Sequence, residues 1–244
     1  MESKIIRQNQ DKKEKGKGKL MKNLINIALD GPSGSGKSTI AKFLSQKLDI
    51  LYLDTGAMYR ACALKALSLG IDTLDEKGVS GFINDINLEI KYSCGTQKTF
   101  LDGADVSEKI REPHVSMQAS NISSLKCVRL KMVDMQRQIA KSMSCVLDGR
   151  DIGSFVLPDA DFKFYITASV QVRAKRRYDE LVKKGHAVDL DQLQKEIEQR
   201  DYNDMHRDFA PLTCCADTIK IDTSDMSIEE VVNCVYGYIK KPNE

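Results

Sequence analysis

Apolar residues fall along this chain in two rhythms. Short, nearly solid apolar runs at 24–29, 50–54, 144–147, 162–166 and 218–221 have the length of strands buried on both faces of a parallel sheet. Between them lie longer segments with apolar positions three and four apart, at 40–48, at 56–69 (Met58, Ala61, Cys62, Leu64, Leu67), at 190–207 and at 228–239, which predict amphipathic helices. The mixed stretch 72–87 is predicted helical. Residues 88–92 and 99–101 alternate about a Cys94-Gly95-Thr96 turn, with Asp102-Gly103 closing the second run, and predict a β-hairpin. The long periodic run 113–143 breaks near Ser123-Ser124 and predicts two helices. Strands alternating with helices give an α/β fold on a parallel sheet, in which the hairpin and a basic segment at 170–184 look like insertions.

Composition changes this picture only at the N-terminus. Residues 1–20 are polar, lysine-rich and interrupted by glycine, the signature of a tail that cannot bury enough apolar surface to order itself. Residues 1–22 hold eight Lys/Arg against three Asp/Glu, so a chain of net charge +2 leaves a slightly acidic body at −3. That argues against a general nucleic-acid surface. The rest reads as one domain over 21–244, and the whole chain has 41% hydrophobic residues and no apolar run of membrane-spanning length. Seven scattered cysteines without metal or CxxC spacing read as reduced thiols, and no signal-peptide pattern precedes the domain, so a cytoplasmic location is expected.

The strongest chemistry sits where the first strand breaks. Gly31-Pro32-Ser33-Gly34-Ser35-Gly36-Lys37-Ser38-Thr39 satisfies G-x-x-x-x-G-K-[ST], with a strand before it and a helix after it. Glycines let successive N–H groups turn inward on an anion, the helix N-terminus adds its dipole, Lys37 supplies a mobile charge and Ser38 is placed to ligate Mg²⁺. The motif predicts nucleoside triphosphate binding.

Three further clusters fall at strand ends, the edge where open α/β sheets bind ligands. Asp54 to Arg60 (DTGAMYR) offers a hydroxyl, a tyrosine and an arginine for a second anion, although an N-cap threonine, a core tyrosine and a surface arginine explain it equally well. Asp148-Gly149-Arg150-Asp151 gathers two carboxylates and a guanidinium, more charge than structural pairing explains at such an edge. Arg200, Asp204 and Arg207 share a helical face, which a salt-bridged solvent surface would also produce.

In order and spacing, the stretches GPSGSGKST, LDTGAMYRA, DVSEKIRE, LDGRDIG and RDYNDMHRDFAPL resemble bacterial cytidylate kinases, nucleoside monophosphate kinases of the P-loop class, over about 24–238. The resemblance implies a P-loop NTPase core with a five-stranded parallel sheet, a nucleotide-binding insert at about 72–112 and a lid at about 170–189. It implies ATP on Gly31 to Thr39 with Mg²⁺ at Ser38. For the CMP phosphate it points to Arg60 and Arg150, joined by Arg207 on lid closure. Ser120, Arg129 and Asp151 would read cytosine, and Arg200 and Asp204 would hold the ribose with Thr55 nearby; Tyr59 and Asp148 belong to the same acceptor site. A carboxylate such as Asp151 can accept from the cytosine N4 amine and repel the uracil O4, while Arg129 can donate to N3 and O2. Thr55, where many relatives have serine, adds a methyl near the sugar.

The implied reaction passes the ATP γ-phosphoryl group to CMP or dCMP, in pyrimidine nucleotide metabolism. It needs no general base, because the attacking phosphate oxygen is already anionic, and it relies on Lys37, Arg150 and the lid arginines Arg173 and Arg177. The expected partners are small nucleotides, with no nucleic acid or membrane, and the expected state is a monomer. The rival readings are a P-loop kinase for UMP or shikimate, and a GTPase, which lacks its Asn-Lys-x-Asp guanine reader anywhere in the chain.

Overall fold

A computed structural model describes residues 24–93 and 96–240. The expected tail at 1–20 and the Cys94-Gly95 part of the hairpin turn lie outside the described residues. Strands β1 (Asn26–Asp30), β2 (Leu51–Asp54), β6 (Cys145–Asp148), β7 (Phe162–Thr167) and β8 (Ile219–Asp222) form one five-stranded sheet in the order β2-β6-β1-β7-β8, and every pairing is parallel. The expected strand count and direction are therefore met.

Solid apolar runs become these strands because both faces are covered. On one side Ile40, Ala41 and Leu44 of α1 (Lys37–Leu48) pack with Val231, Val232 and Val235 of α8 (Ile228–Lys240) over Ile27, Leu29, Phe164 and Ile166. On the other, α2 (Thr55–Ser68), α4 (Pro113–Ile122) and α5 (Lys126–Ser142) bury Met58, Val115, Ile122 and Met132 over Ala28, Leu53 and Leu147. The break expected near Ser123-Ser124 separates α4 from α5 as anticipated.

The mixed stretch 72–87 condenses to one short helix, α3 (Glu76–Ile83), capped by the Asp75 carboxylate. The hairpin pairs β3 (Leu88–Ser93) with β4 (Thr96–Leu101) in antiparallel register. A third strand, β5 (Ala104–Asp105), follows the Asp102-Gly103 turn and pairs back on β4; at two residues it is too short to leave an alternating pattern in the sequence. The basic segment becomes α6 (Val170–Lys183), which packs against α7 (Leu190–His206). Two non-α turns escaped the periodicity: a 3-10 turn at Lys109–Arg111 and a π-helical turn at Ile152–Val156.

Six cysteines, Cys62, Cys127, Cys145, Cys214, Cys215 and Cys234, are free thiols. No helix among the described residues is long and apolar enough to cross a membrane.

Candidate active site

Parallel pairing puts all five strand C-termini at one edge, and three neighbouring strands, β2, β6 and β1, each end there in an aspartate: Asp54, Asp148 and Asp30. All three are buried. Each organises one part of the cleft above the sheet.

Beyond Asp30 the chain turns into the glycine loop. Gly31 sits at φ 139°, where a Cβ would lie 2.0 Å from the Ile166 carbonyl oxygen, and Gly34 and Gly36 also have positive φ, so the loop has this path only because these residues lack side chains. Gly36 is the N-cap of α1 and offers no side chain to its first turn, where the Thr39 N–H donates to the Gly36 carbonyl at 3.0 Å and the N–H groups of Lys37 and Ser38 stay uncapped. The Lys37 ammonium is buried and folds back to donate to the Pro32 carbonyl at 2.6 Å and to Ser35 Oγ at 3.2 Å. Burial, then the nearby Arg150, push its pKa well below the ordinary lysine value. Such an ammonium gains from an incoming polyphosphate.

The Asp148 side chain faces Ser38 of the phosphate loop, while its backbone meets Thr55 of the expected acceptor site. Ser38 Oγ donates to its Oδ2 at 2.5 Å, Tyr52 donates to its Oδ1 at 3.2 Å, and Thr55 Oγ1 donates to its backbone carbonyl at 2.6 Å. Burial, reinforced by Asp54, raises the Asp148 pKa to about 6. A hydroxyl and a carboxylate side by side at the start of a phosphate loop are the hard oxygen donors Mg²⁺ takes, usually one or two from protein with the rest from phosphates and water.

Asp54 caps α2 by accepting from the Ala57 N–H at 2.9 Å, so the helix cap is this aspartate and not Thr55. Its other oxygen holds Arg60 at 2.8 Å and faces Arg111 at 3.7 Å. Arg60 Nε is buried and without a hydrogen-bond partner. Arg111, from the DVSEKIRE stretch, had no role from sequence, because nothing local signals that a 3-10 turn carries it to Asp54.

In the segment after β6, charge is dense and buried. The fully buried Arg129 guanidinium is in tight contact with Asp151 Oδ2, while Asp151 Oδ1 lies 3.3 Å from Arg207. The Tyr59 ring stands 5.5 Å from the Arg129 guanidinium, and burial lifts its phenol to about 12. Arg150 Nε donates to Asp204 at 2.7 Å. Arg150 and Arg200 hold the Asp204 carboxyl below its usual range against burial. Arg200 Nε is buried and unpartnered, and burial beside Arg150 lowers the Arg200 pKa to about 10. Arg207 is the C-cap of α7 and not part of it, yet still converges, held by the Ala210 carbonyl. Ser120, half-buried on α4, lies one helix away, its carbonyl engaged by Ser123.

The two arginines expected in the lid separate. Arg173 is buried and fully engaged: it donates to the Ala168 carbonyl at 2.9 Å and the Ser33 carbonyl at 3.0 Å, and pairs with Asp201 at 2.7 Å. Arg177, one turn on, pairs with Glu180 at 2.9 Å and joins Arg60, Arg111, Lys184 and His186 around a cavity of about 160 Å³. Three arginines and Lys184 line that cavity with Glu180, which pairs with both Arg177 and Lys184, and the excess of cations over that one carboxylate suits phosphate.

A family model described as Cytidylate kinase matches residues 27–241. A cytidylate kinase from Caldicellulosiruptor bescii is 51% identical over 211 residues, covering 86% of this chain and 93% of that protein. One from Pediococcus pentosaceus is 48% identical over 224 residues, covering 92% and 99%. Among solved structures, shikimate kinase from Bacteroides thetaiotaomicron aligns over 89% of this chain and 99% of its own at 12% identity, with a TM-score of 0.46.

Proposed function

The chain belongs to the cytidylate kinase family, and we propose from that premise that it transfers the γ-phosphoryl group of ATP to CMP or dCMP, giving ADP and CDP or dCDP. One observation carries the acceptor half of the reading. Asp151, a carboxylate buried between Arg129 and Arg207, keeps lone-pair sites on both oxygens beyond the two guanidinium contacts. It can accept from an exocyclic amine and repels a carbonyl oxygen, the difference between cytosine and uracil.

The residues divide the work by position. The Gly31 to Thr39 loop, through its free N–H groups, and the Lys37 ammonium hold the ATP phosphates, Lys37 exchanging its bonds to the loop for bonds to the ligand. Ser38 and Asp148 would hold Mg²⁺, which supplies charge neutralisation and orients the phosphates when bound. Arg60, Arg150 and Arg207 take the acceptor phosphate, and the unpartnered Nε groups of Arg60 and Arg200 are donors kept dry for an anionic ligand. Arg129, Ser120 and Asp151 read the base, with Tyr59 against Arg129, and Asp204 and Arg200 face the sugar beside Thr55. No side chain need remove a proton, because the attacking oxygen is anionic, so catalysis is positioning and charge neutralisation. Arg177 reaches across from α6, and closure of α6 and the turn at 184–189 over the cleft excludes water that would otherwise hydrolyse ATP.

We read the protein as a monomeric cytoplasmic enzyme of small nucleotides. The UMP and shikimate kinase readings, and the GTPase, are not favoured by the family match. An ADP-release assay with Mg²⁺ATP and a panel of CMP, dCMP, UMP, AMP, shikimate and no acceptor tests it. Turnover concentrated on CMP and dCMP is expected; a folded, ATP-binding protein silent with both would overturn the reading.

A further inference from the structure

Asp30 is a buried carboxylate that none of the roles above uses. Its position is unusual: it ends β1, one residue before the phosphate loop, yet its side chain points across the sheet edge to the segment after β6. Oδ1 accepts from the Ile152 N–H and Oδ2 from the Gly153 N–H, both at 2.7 Å. These are the first two amides of the π-helical turn Ile152–Val156, where helical geometry leaves N–H groups without partners. Burial raises the Asp30 pKa to about 6 even with both amides opposing the rise. A carboxylate kept here at that cost replaces no simpler group, since a neutral cap would satisfy fewer of the donors.

The other end of the same turn is held by the opposite charge. Arg137, from α5, donates Nε to the Val156 carbonyl at 2.8 Å and Nη2 to the Phe155 carbonyl at 2.7 Å, and its guanidinium stands 5.6 Å from the Phe155 ring. Anion at the N-terminal end and cation at the C-terminal end both complement the turn's dipole. Space is closed as well: a Cβ on Gly153 would come within 3.3 Å of Asp30 Oδ2 and of Lys163 Cδ. A π-helical turn has poor intrinsic stability, so these outside partners are what fix its path. Arg150 and Asp151 stand immediately before it, and the Asp151 carbonyl accepts from the Phe155 and Val156 N–H groups.

We propose that Asp30 and Arg137 form a charge clamp that fixes the acceptor-reading segment Arg150-Asp151 relative to the phosphate loop, and so set acceptor affinity and base selectivity without touching either nucleotide. They are positioning residues. Asp30 joins the donor and acceptor halves directly, because the residue that anchors the acceptor segment is the last residue of the strand that launches the phosphate loop. The inference rests on the cytidylate kinase reading for what the segment recognises.

The test uses the full chain and two conservative variants, Asp30→Asn and Arg137→Gln, measured for KM with CMP and with UMP, for ATP affinity by calorimetry without acceptor, and for amide exchange at 152–157. Arg137 lies outside the phosphate loop, so its variant separates the clamp from any effect of Asp30 on Lys37. Displacing the segment by about an ångström is expected to raise the KM for CMP roughly tenfold or more and to narrow the CMP-over-UMP ratio. ATP affinity should change by less than about threefold, within the spread of a lost remote contact, and exchange at Ile152 and Gly153 should quicken in Asp30→Asn. The clamp is overturned if both folded variants keep wild-type KM and selectivity, or if ATP binding falls in step with CMP. Should Asp30→Asn not fold, Arg137→Gln decides alone. A wild-type protein that turns over no CMP overturns the kinase reading instead, and exchange at the turn in the variants still decides whether the clamp holds it.

Discussion

Asp151 is a buried carboxylate held between two guanidinium groups, those of Arg129 and Arg207. Its place at a strand end among charges was legible from the DGRD run, because core packing has no use for three charges there. Its partners were not, since Arg129 is 22 residues away on another helix and reaches it only once α5 is packed over the sheet. The same holds for Arg111 and Asp30, whose roles depend on contacts over long separations and on turns with no helical period. The buried pair makes two consequences inseparable. Asp151→Asn keeps the shape but removes the charge facing Arg129, and leaving a buried guanidinium uncompensated is expected to cost about 3–5 kcal/mol. The amide can also turn its NH₂ toward the base, so kcat/KM for CMP is expected to fall about a hundredfold, with a smaller loss for UMP. Thermal unfolding and acceptor kinetics on one preparation check both. A variant that keeps its preference for CMP over UMP would remove Asp151 from base recognition.

At the level of elements the periodic signals were dependable, and the informative differences lie in α6. Its basic character was visible in sequence, but a basic helix does not disclose which cations are spent on structure. Arg173 faces the phosphate loop and α7, is buried, and ties the Ser33 carbonyl to Asp201; Arg177 faces the cleft with the half-exposed Glu180 as its partner among the described residues. Their substitutions should therefore diverge. Arg173→Ala leaves Asp201 buried and unpaired and is expected to lose about 3–5 kcal/mol, some 10 °C in Tm for a chain of this size. Arg177→Ala breaks a surface pair worth less than about 1 kcal/mol, so Tm should hardly move while kcat falls by about tenfold or more as a transition-state charge contact is lost. Differential scanning calorimetry beside single-turnover kinetics separates the two. Equal Tm losses would mean that α6 works as one structural unit and that Arg177 has no special catalytic part.

For the whole molecule, the rim of aspartates at the ends of β2, β6 and β1 places function against stability. Asp148 and Asp30 are each raised to about 6 from an ordinary value near 4. Between those pH values the native state holds protons that the unfolded chain has released, so stability falls as pH rises through this window and the loss is complete above about pH 6. Asp204, held low by Arg150 and Arg200, works in the opposite sense: its contribution is present above the unfolded value and fades as pH drops below it. The carboxylate that would face Mg²⁺ is thus one the empty fold would be more stable without, as sites built for a cation generally are. Asp148→Asn keeps one acceptor oxygen for the Ser38 and Tyr52 hydroxyls, puts an NH₂ donor in place of the other, and removes the charge. In chelator at pH 8 it is expected to be more stable than wild type by about 1–2 kcal/mol, an allowance below the roughly 3 kcal/mol that the full rise represents because the amide fits the two hydroxyls less well than a protonated carboxyl does. The advantage should be gone by about pH 4, where the wild-type carboxyl is itself neutral, and with Mg²⁺ATP present the variant should lose both activity and the ligand's stabilisation. Denaturant melts across that pH range with and without Mg²⁺ATP measure all of this. A variant less stable than wild type at pH 8, with the gap persisting to pH 4, would make Asp148 a structural residue whose charge the fold requires.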